Sequence, residues 1–209
     1  MALSLVQEPP APSFSPSLAI LPPSENELTA SLMRTRQALL QDARSIHQLI
    51  HTFTHDGTLL PRRYAEICAN ISTFTIVETA SGQFIGSAAL HVYGHHLAEI
   101  RSIAVRHDSK GQGAGGLLVR ALLDRAKASE IKCVCLFTRI PTFFEHFNFR
   151  VAPHQALPDK MLKDCAHCAR RNACDEIAMV IGELPAPRDT PSGSLLNRPH
   201  HADLVQLKL

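Results

Sequence analysis

No apolar run in this chain approaches the ~20 residues that a membrane-spanning helix requires, which argues against a spanning segment. An excess of one charge is also lacking: 21 Lys+Arg stand against 19 Asp+Glu, for a formal net charge of +2. That balance gives no electrostatic case for a nucleic acid or an anionic membrane as partner. No acidic run is present to line a groove for a cationic amine. The N-terminus has no basic segment followed by an apolar stretch, and prolines interrupt it early. This argues against a secretory leader and for the cytoplasm. In a reducing setting the six cysteines are not read as a disulfide framework. The twelve histidines scatter, and His95-His96 and His200-His201 read as solvated loop pairs.

What is present is enough for a core: 45% of 209 residues are apolar, which suits one domain with a tail or two. Residues 1–27, rich in Pro, Ser and Ala without periodicity, read as a disordered tail. Residues 185–209 read as a second, Pro-rich tail, and the ordered body is expected over 28–184. Within it, Met33–Leu39 is a first strand candidate. Asp42 is placed to cap a helix whose apolar positions Ala43, Ile46, Ile50 and Phe53 fall at helical spacing. Arg62–Ile71 reads as a second helix after Pro61. Phe74–Thr79 and Phe84–Val92 read as a hairpin across Ser81-Gly82, followed by a strand over Leu97–Val105. A long helix over 115–129, a buried strand over Lys132–Thr138 and a short helix from Pro141 to Phe147 come next. Strands at Phe149–Val151 and Ile177–Ile181 complete the order, which argues for an α/β (α+β) fold with a mixed, mostly antiparallel sheet flanked by helices.

Four glycines fall within six residues, at 111, 113, 115 and 116, between the strand ending at Val105 and the long helix. A strand, a glycine turn and a helix N-terminus together offer an anion site, because glycine lets amides approach oxygens closely and the helix dipole adds partial positive charge. A nucleotide P-loop is excluded, since no lysine with a following hydroxyl residue sits there. A dinucleotide fingerprint over Gly111, Gly113 and Gly116 lacks the acidic residue at the end of the next strand. The third pattern, a basic residue followed by x-x-Gly-x-Gly, fits Lys110, Gly113 and Gly115. A glycine-rich connection without a ligand is the plain alternative.

That third pattern resembles the pyrophosphate-arm loop of the GCN5-related N-acetyltransferases, with Lys110 where the family usually has Arg or Gln. Further segments resemble one branch, the amino-acid N-acetyltransferases of the N-acetylglutamate synthase type, in a short form without the amino-acid-kinase domain. They are Gly57–Ile67, Phe74–Glu78, Glu99–Val105, Leu136–Thr138 with Phe143–Phe149, Leu157–Lys160, Asp164-Cys165, Cys174–Glu176 and Ala178-Met179. The resemblance implies the fold of that family and acetyl-CoA as co-substrate, bound along Ile103, Ala104 and Val105 and at Lys110, Gly111, Gln112, Gly113, Ala114, Gly115 and Gly116. It implies acetyl transfer to the α-amino group of L-glutamate, the first step of arginine biosynthesis. A homodimer is the default assembly.

A substrate with two carboxylates needs cations with paired donors. Arg62, Arg63 and Arg101 lie in segments that the family places near the acceptor, and Lys160 is a further candidate; a solvated helix start is the alternative for the Arg62–Arg63 pair. Glu99 stands where many members keep a general base, although a lone strand glutamate is as often structural. The position that carries an acid tyrosine in many relatives is Phe144, and the usual glycine after it is Asn148. Cys133 and Cys135 alternate through a buried strand and read as core. Cys165, Cys168 and Cys174, with His167, lack a second cysteine pair and are not expected to hold a metal. Acetylation of another amine, and a non-catalytic acyl-CoA-binding module, are the competing functions.

Overall fold

The computed structural model describes residues 33–55, 57–168 and 170–185; the expected tail over 1–27, and all but the first residue of the one over 185–209, lie outside the described residues. Seven strands form one sheet: β1 (Met33–Gln37), β2 (Phe74–Thr79), β3 (Phe84–Gly94), β4 (Leu97–Val105), β5 (Cys133–Thr138), β6 (Arg150–Val151) and β7 (Ile177–Gly182). Their spatial order is β1-β2-β3-β4-β5-β7-β6. Every neighbouring pair is antiparallel except β4 and β5. The helices are α1 (Ala43–Thr52), α2 (Tyr64–Ala69), α3 (Ala114–Ala128), α4 (Pro141–Glu145) and α5 (Pro158–Lys163).

Successive residues of a strand face opposite sides of a sheet, and the two faces here gather different helices. Val77, Ala88 and Leu90 pack with Leu118, Val119 and Leu122 of α3. Their neighbours Ile76 and Ala89 pack with Ile46 and Ile50 of α1 and Ile67 of α2. Beyond β4, Leu97, Cys133, Cys135, Leu157 and Val180 form a third cluster, with both cysteines fully buried as expected.

The sequence departs from the structure at identifiable points. Asp42 does not cap α1 with its side chain. Its carboxylate instead accepts from the Leu39 amide at 2.7 Å and pairs with Arg36 at 2.7 Å, which ties β1 to the turn before α1. The second helix starts at Tyr64 rather than Arg62, because Arg63 keeps an extended backbone (φ −70°, ψ 143°) and its carbonyl receives the first helical bond, from the Ile67 amide. That helix ends at Ala69, and a 3-10 turn over Ile71–Thr73 follows. β1 stops at Gln37, two residues short of the expected Leu39. α4 stops at Glu145, and Asn148 takes the left-handed conformation (φ 64°) that a glycine would adopt at lower cost. His96 is not simply solvated: its Nε2 lies 2.8 Å from Oδ2 of the buried Asp159.

Candidate active site

Strand β4 builds the centre of the site. It pairs with β5 only at Ala98↔Val134 and Glu99↔Cys135, after which the two strands part. On its other side, the register with β3 shifts between Ser87↔Ala104 and Ala89↔Arg101. Ser102 sits in that shift with φ 53°, a backbone state that non-glycine residues rarely adopt. The parting leaves Ile100–Val105 without a strand partner on the β5 side. Strained backbone of this kind gathers at functional sites.

The glycine loop lies beyond the end of β4. Gly111 (φ 79°) and Gly113 (φ 88°) are both left-handed, and Gly113 caps α3. The amides of residues 111–116 donate to no protein acceptor among the described residues, so they stand free at the positive end of a fifteen-residue helix. A Cβ at Gly115 would come 3.3 Å from the Phe143 ring, and one at Gly116 3.4 Å from Phe147, so small residues here let the helix sit against α4 and its flank. Lys110 is exposed, with its ammonium 5.1 Å from the centre of the Phe53 ring.

A cleft of about 320 Å³ opens at the parting of the strands. Glu99, Arg101, Arg62, Arg139, Lys160 and Glu176 line it among apolar residues that include Leu60, Ile103 and Phe144. Glu99 is almost fully buried, and both its oxygens are engaged: Oε1 lies 2.7 Å from Lys160 Nζ, and Oε2 accepts from the Tyr93 hydroxyl at 2.9 Å. Tyr93 also meets Asp164 Oδ2 at 2.5 Å, and Lys160 meets the same oxygen at 3.3 Å. Arg101 Nη1 is 3.8 Å from Asp164, while its Nη2 lies 3.0 Å from Nδ1 of His91. A guanidinium can only donate, so Nδ1 of His91 is the acceptor and its proton resides on Nε2.

Residues 38–147 match the acetyltransferase (GNAT) family. An uncharacterized N-acetyltransferase of Chlorobaculum tepidum is 34% identical over 145 residues, which covers 69% of this chain and 93% of that one. The chain belongs to the GNAT acetyltransferases. It is an enzyme that takes its acetyl group from acetyl-CoA, and the free amides at the start of α3 fit a diphosphate. An amino-acid acetyltransferase of Mannheimia succiniciproducens is 32% identical over 139 residues, and the chain spans only 31% of that relative's length. Among solved structures, N-acetylglutamate synthase from Neisseria gonorrhoeae, complexed with coenzyme A and N-acetyl-glutamate, aligns with a TM-score of 0.64 at 27% identity. The alignment covers 71% of this chain and 34% of that one.

The acetyltransferase brings most of the residues singled out in its sequence to two places. Glu99, Arg62, Arg101, Ile103 and Lys160 line the cleft, and the loop from Lys110 to Gly116 lies at the head of α3. Arg63 is exposed and absent from the cleft wall, so of the two neighbouring arginines it is Arg62 that faces in, its guanidinium 2.9 Å from Glu66. Lys160 does not stand free for a carboxylate, because Glu99 and Asp164 already flank it. Burial pulls its ammonium down, but these two anions prevail and hold its pKa above the usual lysine range.

The acetyltransferase also engages residues that the sequence reading passed over. Arg139, at the end of β5, reaches into the cleft wall, and Tyr93 and Asp164 complete the network around Glu99. Burial, reinforced by both carboxylates, pushes the Tyr93 hydroxyl far above its ordinary range, so it stays protonated. Burial and the charge of Arg101 push His91 down, which keeps its imidazole neutral. Burial also raises the Cys133 thiol to about 11, which suits packing and not nucleophilic attack. All six cysteines are free thiols, and no cluster fit for a metal exists among the described residues.

Proposed function

We propose that this acetyltransferase moves the acetyl group of acetyl-CoA to the α-amino group of an acidic amino acid, L-glutamate, and so catalyses the first step of arginine biosynthesis. The observation that carries this reading is the cation pair of the cleft: Arg62 and Arg101 line the wall that also holds Glu99, beside the parting of β4 and β5, with Arg139 bracing the loop before Arg62. Two carboxylates of one small substrate call for such planar donors, while the α-amino group must reach a carboxylate base.

The coenzyme diphosphate would rest on the amides of residues 111–116, and its thioester would lie along Ile103–Val105. Glu99 takes a proton from the substrate ammonium, and the freed amine attacks the thioester carbonyl carbon. Backbone donors of β4 beyond its last pairing with β5 receive the developing oxyanion. The carbon–sulfur bond then breaks. Phe144, 3% exposed, stands where the family resemblance would put an acid tyrosine, and its ring has no proton to give. The thiolate leaves without a protein acid, since a thiol pKa lies only a little above neutrality, and it takes up the second proton that the acylated nitrogen sheds.

The test is a steady-state screen of the full chain with acetyl-CoA and all twenty amino acids. Glutamate is expected to give the highest kcat/KM, and equal rates for glutamate and leucine would refute the acceptor assignment.

A further inference from the structure

The stoichiometry of the reaction poses a demand that the cleft alone does not meet. An ammonium carries three N–H protons, and the product amide keeps one. A second ends on the coenzyme thiol, so one proton per turnover must leave the site. Glu99, the base that receives it, has a side chain only 3% exposed. Lys160 covers Oε1 at 2.7 Å and, held as a cation, accepts nothing. The other oxygen, Oε2, faces the Tyr93 hydroxyl.

That hydroxyl is in an unusual position. It carries one proton, yet it lies within hydrogen-bond distance of two carboxylate oxygens, 2.9 Å from Glu99 Oε2 and 2.5 Å from Asp164 Oδ2. With both carboxylates ionised, the single proton serves one contact and leaves the other without a donor. One added proton on Glu99 completes the set: Glu99 donates to the Tyr93 oxygen, and Tyr93 donates to Asp164. Asp164 follows α5 and has a side chain 34% exposed, so it is the member of the chain that meets solvent.

We propose that Tyr93 and Asp164 carry the reaction's surplus proton from Glu99 to solvent. The inference rests on the assignment of Glu99 as the base. In the step, the Glu99 O–H bond breaks as a new O–H bond forms on Tyr93. The original Tyr93 O–H bond breaks as one forms on Asp164 Oδ2, which then releases its proton to water. No charge accumulates on the tyrosine, in keeping with a phenol that does not ionise. Asp164 does not retain the proton: burial favours its neutral form, but Tyr93, Lys160 and Arg101 prevail and hold its pKa below the usual carboxylate range. The other titratable groups that face this chain are His91 and Arg101, Lys163 over the Tyr93 ring, and Cys135 and Cys165. Tyr93 and Asp164 are positioning residues and touch no substrate.

The experiment compares Tyr93→Phe and Asp164→Asn with the wild-type chain and Glu99→Gln at saturating glutamate with acetyl-CoA varied up to saturation, in H₂O and D₂O, with increasing imidazole as an external proton acceptor. Both relay variants are expected to lose about tenfold in kcat, with a larger solvent isotope effect and an unchanged KM for acetyl-CoA. Imidazole should restore kcat in a concentration-dependent manner, which it would not do for a merely structural defect. Full kcat in Tyr93→Phe, or a loss that imidazole does not touch, overturns the relay. A slow Glu99→Gln beside two fast relay variants removes the relay and leaves the base in place. A fast Glu99→Gln removes the base assignment itself, and the relay with it.

Discussion

Arg139 donates to the carboxylate of Asp175 at 2.8 Å while the same guanidinium holds the carbonyl of Gly57 at 2.8 Å. Arg170 repeats the arrangement, at 2.8 Å to Gly57 and 3.2 Å to Asp175. Two cations thus bind the loop before Arg62 to the stretch that leads into β7, and Thr58, Leu59 and Leu60 of that loop line the cleft. Asp175→Ala is expected to remove the shared anchor of both guanidinium groups, which then hold Gly57 less firmly and let the loop move. The amino-acid KM should rise about tenfold while the acetyl-CoA KM stays put, and Tm should change little because the ion pairs are exposed. Steady-state kinetics with each substrate varied, beside a thermal melt, decides the matter.

The two adjacent arginines should behave differently. Arg62 lines the cleft and Arg63 does not. Arg62→Ala is expected to raise the glutamate KM at least tenfold, whereas Arg63→Ala should stay within about twofold of the wild type. Equal losses in the two variants would mean that both side chains reach the substrate.

Gly113 caps α3 in the left-handed region at φ 88°. Gly113→Ala forces a Cβ into that conformation, at a cost of about 1 kcal/mol or more. The variant is expected to melt a few degrees lower and to bind acetyl-CoA more weakly. Calorimetric titration with coenzyme A reads the second effect, and an unchanged Kd would separate the loop from cofactor binding.

Acid should destabilise the fold through Asp42. The hydrogen-bonded Arg36 holds this carboxyl below its usual range, against the opposing effect of burial. A depressed folded pKa contributes stability in full above the unfolded value, ~3.9, and loses it as pH falls through the folded value. Wild-type Tm is therefore expected to drop steeply below about pH 4, and Asp42→Asn should melt lower at neutral pH but with a shallower acid slope. Circular-dichroism melts from pH 2 to pH 7 measure both, and parallel slopes would place the titration elsewhere.

Much of the fold was legible because its strands and its long helix carry strong periodic signals. Val77 and Ile76 alternate between two cores, and the α3 face is marked by Leu118, Val119 and Leu122. The glycine loop was legible for a different reason, since left-handed backbone at Gly111 and Gly113 leaves a direct trace in composition. The cleft chemistry was harder to read. α5 spans six residues from Pro158, too few for a helical period to show, and its C-terminal neighbour Asp164 meets Tyr93 across 71 positions of sequence. Arg139 gave no local sign of its role, which depends on Gly57 and Asp175. Asp42 had the right residue type for a helix cap and was claimed by Arg36 instead, a tertiary pairing that no local pattern reveals.

Backbone bonding joins β4 to β5 at two registers only. The sheet is therefore two panels sharing a short seam, and whatever occupies the gap touches both. Deuterium uptake by the amides of residues 100–105 should slow when the donor molecule is seated and quicken when it departs, so that exchange along one half-strand reports how fully the gap is filled.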